Sequence, residues 1–542
     1  MLRFFHKLWK GKTDGLTAAA FLVGAASLAS RIFGILRDRI LASSFGAGNV
    51  LDAYYAAFRI PDTLYNLIII GALSAGFIPV FTEWYEQKGK EEAFRLAGKV
   101  LSVILATLCV AVVGLFIAAP VLVPFIAPGF EGEKLNTTIW LTRLMLLSPI
   151  FLGMSAVMGG ILQSRRRFFA FSLAPILYNI GIIFGALFLA PSFGVYGVGL
   201  GVVLGAFLHF ITQTSVAVSL GMKRLPWPDF RDRGIHKIIK LMIPRTIGLA
   251  VSQVNLIVIL AFASTLGVGS VAVFQLAQNL QSFPLGLFGI SFAIAAFPLM
   301  AQATGRKDLI AYKQAINNAS RKILFLMIPT MVLFILLRAQ IVRIILGQGV
   351  FSWHDTIRTA DVLGWFAVSL FAQGLVPLFM RAFYALQEVV KPILISMVAE
   401  GVSIVLAFLL KGPYGIAGLA MAFSASAIVQ VALLILVLRK EKGAFGEGSS
   451  GRAFFKVIIA TLALFIVAYP IRQLVGTIYP LRTFVQVFMQ ALLTSLGGGV
   501  AFLAVSWLLR SEELQEMVYA IKKRLWRKAD LNEGVEEAKE TR

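Results

Sequence analysis

The stretch SRIFGILRDRI, residues 30–40, places Arg31, Arg37, Asp38 and Arg39 in a region that is otherwise apolar; residues 15–30 before it carry no charge. Guanidinium groups do one of two things in such a setting. They bind anions, phosphate above all, because the planar fork meets two oxygens at once. Or they pair with carboxylates and tie helices together. An arginine at the centre of a membrane span costs about 2.5–3.5 kcal/mol on insertion scales, so it faces a partner or a wet cavity. On a helix Arg31 and Asp38, seven residues apart, share a face, and Arg37 lies about a third of a turn round. A second constellation follows, with Asp52 and Arg59 again seven apart and Asp62 one turn further on. Arg31, Arg37 and Arg59 together would line a cationic cavity that favours an anion. Two readings stand at this point: recognition of an anionic substrate, or ion pairs Arg31–Asp38 and Asp52–Arg59 that hold helices. Asp52 has a third, as cap of the helix that follows FGAGNV.

Other candidates are single polar groups inside apolar runs. Arg245 in IPRTIG is either a positive-inside anchor or a cation at a cavity mouth. Gln253, Asn255, Gln275, Gln278, Asn279 and Gln281 form a polar set, for which interhelical hydrogen bonding is the simplest role. Arg381 in MRAFYA is placed to snorkel. Glu400 is the acid well inside the later apolar runs, suited to a cation, a proton or an arginine. No enzyme constellation is present. The four histidines, His6, His209, His236 and His354, lack metal-ligand spacing, GKT at 11–13 lacks the rest of a P-loop, and no G-x-S-x-G occurs. A single cysteine, Cys109, excludes disulfides and clusters.

The elements that must position these residues are membrane helices. The chain has 542 residues, is 58% hydrophobic and only 14% charged, far from a soluble domain. Apolar runs recur from end to end, and about fourteen can cross ~30 Å of hydrocarbon. They fall near 16–43, 51–82, 95–127, 136–164, 168–190, 195–220, 236–264, 270–302, 321–347, 357–386, 391–411, 414–439, 452–475 and 484–510. The net charge of +23 does not indicate nucleic acid, because the basic residues cluster in alternate short loops, as the positive-inside rule requires. Both termini are then cytoplasmic. MLRFFHKLWKGK reads as a basic interfacial segment rather than a cleaved signal peptide, and SEELQEMVYAIKKRLWRK as an amphipathic tail. Gly71, Gly76, Pro79, Pro284 and Pro298 mark kinks that let a cavity open and close.

An internal repeat sets the plan. FGVYGVGLGVVLGAF from 193 resembles KGPYGIAGLAMAFSA from 411, FGAGNVLDAYYAAFRIP from 45 is echoed from 266, and GFIPVF from 76 from 295. The offset spans six helices, an even number, so the halves run parallel around a central cavity. The expected organisation is an interfacial segment 1–15, an N-lobe 16–220, a linker 221–235, a C-lobe 236–440, a loop 441–451, two further helices in 452–510 and a tail 511–542.

SRIFGILRDRILASSFGAG…DAYYAAFRIPD, GALSAGFIPVF, APGF, MIPRTIGLAVSQVN and RAFYALQ…KP resemble the MurJ (MviN) family of lipid II flippases, within the multidrug/oligosaccharidyl-lipid/polysaccharide exporter superfamily. The resemblance covers nearly the whole chain. It implies an all-α polytopic fold with two six-helix lobes plus two helices. It also implies outward transfer of an undecaprenyl-pyrophosphate-linked peptidoglycan precursor across the bacterial inner membrane, with no enzymatic step and no cofactor or metal. Carried over by motif, Ser30, Arg31, Arg37 and Asp38 match the family's first-span cavity residues, and Asp52 and Arg59 its second-span acid and base. Arg245, Asn255, Asn279, Arg381 and Glu400 are secondary candidates. The chain departs from the pattern at Tyr65, Ile70 and Asn279, where the family often has charged residues, and at Ile259, where some members have an acid of a sodium site. Coupling to an ion or to the membrane potential is left open. The partners expected are the lipid-linked precursor and membrane lipids, with cell-wall synthesis proteins as candidates. Rival readings are export of another lipid-linked saccharide, drug or cation export within the superfamily, and a non-transporting membrane scaffold.

Overall fold

The computed structural model describes residues 16–70, 76–222, 225–443, 447–479, 483–519 and 522. The basic segment 1–15, Gly71, most of the tail beyond residue 519 and the side chain of Arg245 lie outside them. Every regular element described is helical: α1 Leu16–Phe45, α2 Asn49–Leu64 continued by a π-helical turn Tyr65–Ile70, α3 Ile78–Gln87 and α4 Lys90–Ile126. Then come α5 Gly132–Ser164, α6 Phe168–Phe193, α7 Val195–Leu220, α8 Arg233–Ser264, α9 Ser270–Gly305 and α10 Leu309–Leu336. The last are α11 Arg338–Ile345, α12 Trp353–Ala367, α13 Leu370–Ala385, α14 Val390–Lys442, α15 Glu447–Ile478 and α16 Phe484–Leu508.

Ten of the described helices are long and apolar enough to cross a membrane, eleven if α12 and α13, bent by 48°, form one span. The expected count of fourteen is therefore not established. Two of the three segments that make up the difference are the charged ones, 16–43 and 51–82. The third arises because 391–411 and 414–439 fall in one uninterrupted segment, α14, in which two helices meet at a kink at Gly415 (φ 56, ψ −134). That dihedral pair is open to glycine and costly for other residues. Pro284 leads directly into a π-helical turn, Leu285–Ile290, a kink of the kind its ring imposes.

The described residues group into two compact units, one from Met1–Leu280, Ile345–Val362 and Glu400–Phe423, the other from Gln281–Ile344, Leu363–Ala399 and Ser424–Arg542. In the first unit, α4 shows how a span differs from a soluble helix. Leu108, Val112, Ala119 and Val123 are buried, while Val110, Val113, Ile117, Val121 and Phe125 on the other face are exposed and equally apolar. A helix apolar all round is built for lipid on its outer side. With no hydrophobic drive between helices in lipid, close backbone packing must hold them. Between α6 and α7 this is achieved by glycine on both sides: a Cβ on Gly185 would stand 2.6 Å from the Cα of Gly201. One on Gly201 would stand 2.7 Å from the Cα of Gly185.

Residues 225–232 form a strap between α7 and α8. Asp232 caps α8, its Oδ1 accepting from the backbone N–H of Gly234 at 2.7 Å and of Ile235 at 3.4 Å. Its Oδ2 takes the Lys99 ammonium at 2.6 Å, and Asp229 takes the same group at 3.0 Å. Burial opposes ionisation of Asp232, but the Lys99 ammonium and the Gly234 N–H outweigh it and hold the carboxyl below its usual range. The Lys99 hydrogen bond likewise lowers Asp229.

The second unit packs Ile323, Met327, Leu370, Leu378 and Phe383 into one core, with Tyr312 donating to the Ala382 carbonyl at 2.9 Å. A smaller cluster joins α10, α15 and α16, where the rings of Phe325 and Phe502 lie 5.0 Å apart. The start of the tail is pinned there: Arg321 meets Glu512 at 2.7 Å and Glu513 at 2.6 Å, and Lys322 meets Glu516 at 2.7 Å.

Four helices end with a non-glycine residue in the left-handed region, Arg166, Lys307, Gln387 and Arg510. Each sits in a Schellman turn, as where Gln387 N–H donates to Tyr384 and Glu388 N–H to Phe383. Glycine is the unstrained residue there. Gln387→Gly is expected to stabilise the detergent-solubilised protein by about 1 kcal/mol, read as a higher unfolding temperature. Gly201→Ala is expected to destabilise it by about 1–3 kcal/mol through overpacking. Gly114→Ala, where a Cβ meets nothing within 4 Å, is the control and should leave stability unchanged or raise it.

Candidate functional site

Within the first unit, α1, α2, α8 and α9 enclose a cavity of about 270 Å³, lined by Arg37, Tyr54, Tyr55, Phe58, Arg59, Asp62, Leu256, Gln275, Gln278 and Asn279. Arg37 and Asp38, neighbours in sequence, bind each other directly: Nε donates to Asp38 Oδ1 at 3.0 Å and Nη2 to the same oxygen at 2.8 Å. Adjacent residues on a helix do not normally face one another. Here each is turned by a partner from another helix. Arg37 Nη1 donates to Asn179 Oδ1 on α6 at 3.3 Å, while Asn179 Nδ2 is anchored on the Pro175 carbonyl at 3.0 Å. The other Asp38 oxygen, Oδ2, accepts from Asn279 Nδ2 on α9 at 2.9 Å.

The network continues along α9. Gln275 Nε2 donates to Asn279 Oδ1 at 2.9 Å, and Arg59 Nη2 on α2 donates to Gln275 Oε1 at 3.3 Å. Arg59 also lies 3.9 Å from Asp62, one turn along its own helix. The two arginines are thus joined by the relay Arg37–Asp38–Asn279–Gln275–Arg59. Two buried polar atoms in this wall, Arg59 Nε and Tyr55 OH, have no hydrogen-bond partner. A buried polar group without a partner costs free energy, so the cavity holds donor capacity for a polar guest.

The predicted cationic cavity needs correction. Each arginine lining it stands beside a carboxylate, Asp38 or Asp62, because an unpaired guanidinium in an apolar surround is too costly. The site is therefore a set of paired charges and not an empty positive one. The predicted Asp52–Arg59 pair is not formed, since Arg59 is taken by Asp62 and Gln275. Asp52 is fully buried and is not among the residues lining the cavity. Its Oδ2 accepts from Lys134 Nζ and from Gly269 N–H, both at 2.7 Å, and its Oδ1 from Ala272 N–H at 2.8 Å. It therefore caps a helix, as one reading held, but the helix is α9 and not its own; the residue before α2, Gly48, offers no side-chain cap. A carboxylate on the N-terminal amides of α9 is favoured by their partial positive charge.

Several tight approaches accompany the Asp52 contacts in this unit. Gly269 (φ 80) leaves no room for a Cβ against the Ala47 carbonyl. Val350 N–H donates to Ser43 O at 3.0 Å, and Arg39 Nε to Gln348 Oε1 at 3.1 Å. Arg358 holds the Val268 carbonyl at 2.9 Å and Ser270 Oγ at 3.0 Å.

The remaining candidates are dispersed. Ser30 and Arg31 lie half-buried on α1, about two turns from Arg37, and are not among the residues lining the cavity. Asn255 is buried beside the lining residue Leu256, its Oδ1 without a partner. Gln253 accepts from Thr63 at 3.4 Å. Arg381 belongs to the second unit and donates to the Pro377 carbonyl of its own helix at 3.1 Å. Glu400 is half-buried on α14 and does not line the cavity. Asn179, Tyr54, Tyr55 and Lys134 were not found from sequence. Asn179 is one amide in the apolar run FFAFSLAPILYNIGIIF, and only its place as a polar residue inside a span could have drawn notice.

Comparison with known proteins converges on one family. The family model described as "Lipid II flippase MurJ" matches residues 41–490. A "Probable lipid II flippase MurJ" of Rhizobium tropici is 30% identical over 458 residues, covering 82% of this chain and 84% of that protein. A "Lipid II flippase MurJ" of Burkholderia cenocepacia is 28% identical over 459 residues, covering 83% and 89%. Among solved structures, "Lipid II flippase MurJ, inward closed conformation" superposes with a TM-score of 0.75 at 23% identity, covering 90% of this chain and 99% of that one. An inward-facing multidrug resistance MATE family transporter of the MOP superfamily superposes with a TM-score of 0.67 at 19% identity, covering 77% and 96%; at these identities the likeness is one of fold. This polytopic membrane chain, with its relay of paired arginines inside the helices, belongs to the MurJ family.

Proposed function

We propose that this protein is a transporter, not an enzyme, that flips lipid II from the cytoplasmic to the outer leaflet of the bacterial inner membrane for peptidoglycan synthesis. Both termini lie in the cytoplasm in this reading, and cell-wall synthesis proteins are its partners. The observation that carries the proposal is the relay Arg37–Asp38–Asn279–Gln275–Arg59 on the wall of a cavity with unpartnered donors. A pyrophosphate offers what Asp38 now supplies, oxygens for a guanidinium fork, and more of them. On entry it replaces Asp38 on Arg37, and Asp38 keeps its hydrogen bond from Asn279. When the cavity opens to the other side, Asp38 returns to Arg37 and the phosphate leaves. A carboxylate that competes for the same cation keeps binding reversible, which a carrier needs, since binding both states equally tightly transports nothing. Asn279 and Gln275 shift charge recognition onto Arg37 and Arg59, compensating for the uncharged Tyr65.

Alternating access gives Asp52 its role. While Asp52 grips Gly269, Ala272 and Lys134, one end of the first unit stays sealed. Release of that grip would open it. Nothing here depends on a bound ion, and coupling to the membrane potential would act on the same charged groups.

Arg37→Ala is expected to abolish rescue of a flippase-depleted strain while the variant still inserts at normal levels. Full growth would contradict the proposal. Asp52→Asn breaks a buried ion pair and weakens the sealed state by about 3 kcal/mol. In a Cys109→Ala background, a cysteine introduced by Tyr55→Cys should then react faster with a membrane-impermeant maleimide added from the Asp52 side. Unchanged labelling would remove Asp52 from the gate.

A further inference from the structure

The strap 225–232 presents an apolar surface that the transport cycle does not use. Trp227 is 91% exposed, and Leu225 and Phe230 are more than half exposed. A soluble loop would not hold three such side chains outward. This one is held rigidly. Pro226 and Pro228 fix the backbone, Ser102 Oγ donates to the Pro226 carbonyl, and Lys99 grips Asp229 and Asp232 at 3.0 and 2.6 Å.

The position along α4 says what covers that surface. The lipid-facing stripe of α4 ends at Phe125. Counting back ~20 residues at 1.5 Å each spans the ~30 Å hydrocarbon layer and reaches Leu105. The strap lies against this level, leaving a cavity of about 330 Å³ between Leu105, Ala106 and Trp227. Headgroup depth is where tryptophan is favoured, its ring apolar and its N–H wet. Arg231 and Arg233 are exposed at the same end, and no carboxylate among the described residues pairs with them.

We infer that the strap is a membrane-interface anchor, with Trp227, Leu225 and Phe230 seated among the glycerol and upper acyl groups of the adjacent leaflet and Arg231 and Arg233 on the phosphates of anionic phospholipid. The linker between α7 and α8 is thereby fixed to the bilayer surface as well as to α4.

The test uses the full chain reconstituted in phosphatidylcholine vesicles with and without phosphatidylglycerol. The chain has eight tryptophans, so the difference between wild type and Trp227→Phe isolates one signal, and the conservative replacement leaves the Lys99 contacts untouched. The difference spectrum should be blue-shifted, quenched more by lipids brominated near the glycerol end than near the methyl end, and shielded from aqueous iodide. At equal bromine content, brominated phosphatidylglycerol should quench it more than brominated phosphatidylcholine, and Arg231→Gln with Arg233→Gln should erase that preference without changing depth. A red, iodide-quenched signal indifferent to brominated lipid would overturn the anchor. So would a signal that neither quencher reaches, which would mean protein covers Trp227. Equal quenching by the two lipids would overturn the selection for anionic headgroups.

Discussion

A guanidinium inside an apolar belt must have a counter-charge, and the first unit is organised around meeting that demand for Arg37. Asp38 supplies the charge, but an adjacent residue cannot do so unaided. Asn179 turns the guanidinium and Asn279 turns the carboxylate, so α6 and α9 are both committed to one ion pair on α1. Gln275 passes the same constraint to Arg59 on α2. In a low-dielectric interior, a network in which each member is bonded fixes one arrangement, and removal of any member exposes the next. The same property makes the pair responsive. A guest with more acceptor oxygens than Asp38 can take its place without leaving the arginine unpaired.

The surroundings of Asp52 follow a parallel logic with different parts. Asp52 is a fully buried carboxylate whose three donors come from the α9 amides and from Lys134 on α5. Neither oxygen is left to a substrate. α9 thus carries both features, its first turn in the Asp52 grip and its second and third turns, through Gln275 and Asn279, in the arginine relay. A shift of this helix would alter both sets of contacts together.

Much of this was legible in the sequence. Charge inside the first two spans, the all-helical membrane plan and the motif resemblance pointed to α1 and α2 and to Arg37, Asp38 and Arg59, which the structure joins in one relay. What escaped was partner choice. Seven-residue spacing places Asp52 and Arg59 on one face of a helix, but spacing says nothing about what stands opposite, and Lys134 comes from the first turn of α5, some eighty residues away. Asn179 obeys no pattern at all. Its amide matters because α6 packs against α1 where Arg37 reaches, a tertiary fact. Arg31 shares the charge signal of Arg37 yet stands about two turns away from the cavity lining. The count of fourteen spans is not established, since the two charged segments fall short of an apolar span and α14 joins its two stretches at Gly415.

The central claim is that a phosphate-bearing lipid competes with Asp38 for Arg37. Equilibrium binding of lipid II to the purified Asp38→Asn protein tests it most directly, alongside the rate of flipping in vesicles. Removing the competing charge while keeping a group that Asn279 can still reach should tighten binding and slow turnover. Weaker binding, or unchanged binding with normal turnover, would contradict partner exchange and leave Asp38 as a purely structural counter-ion.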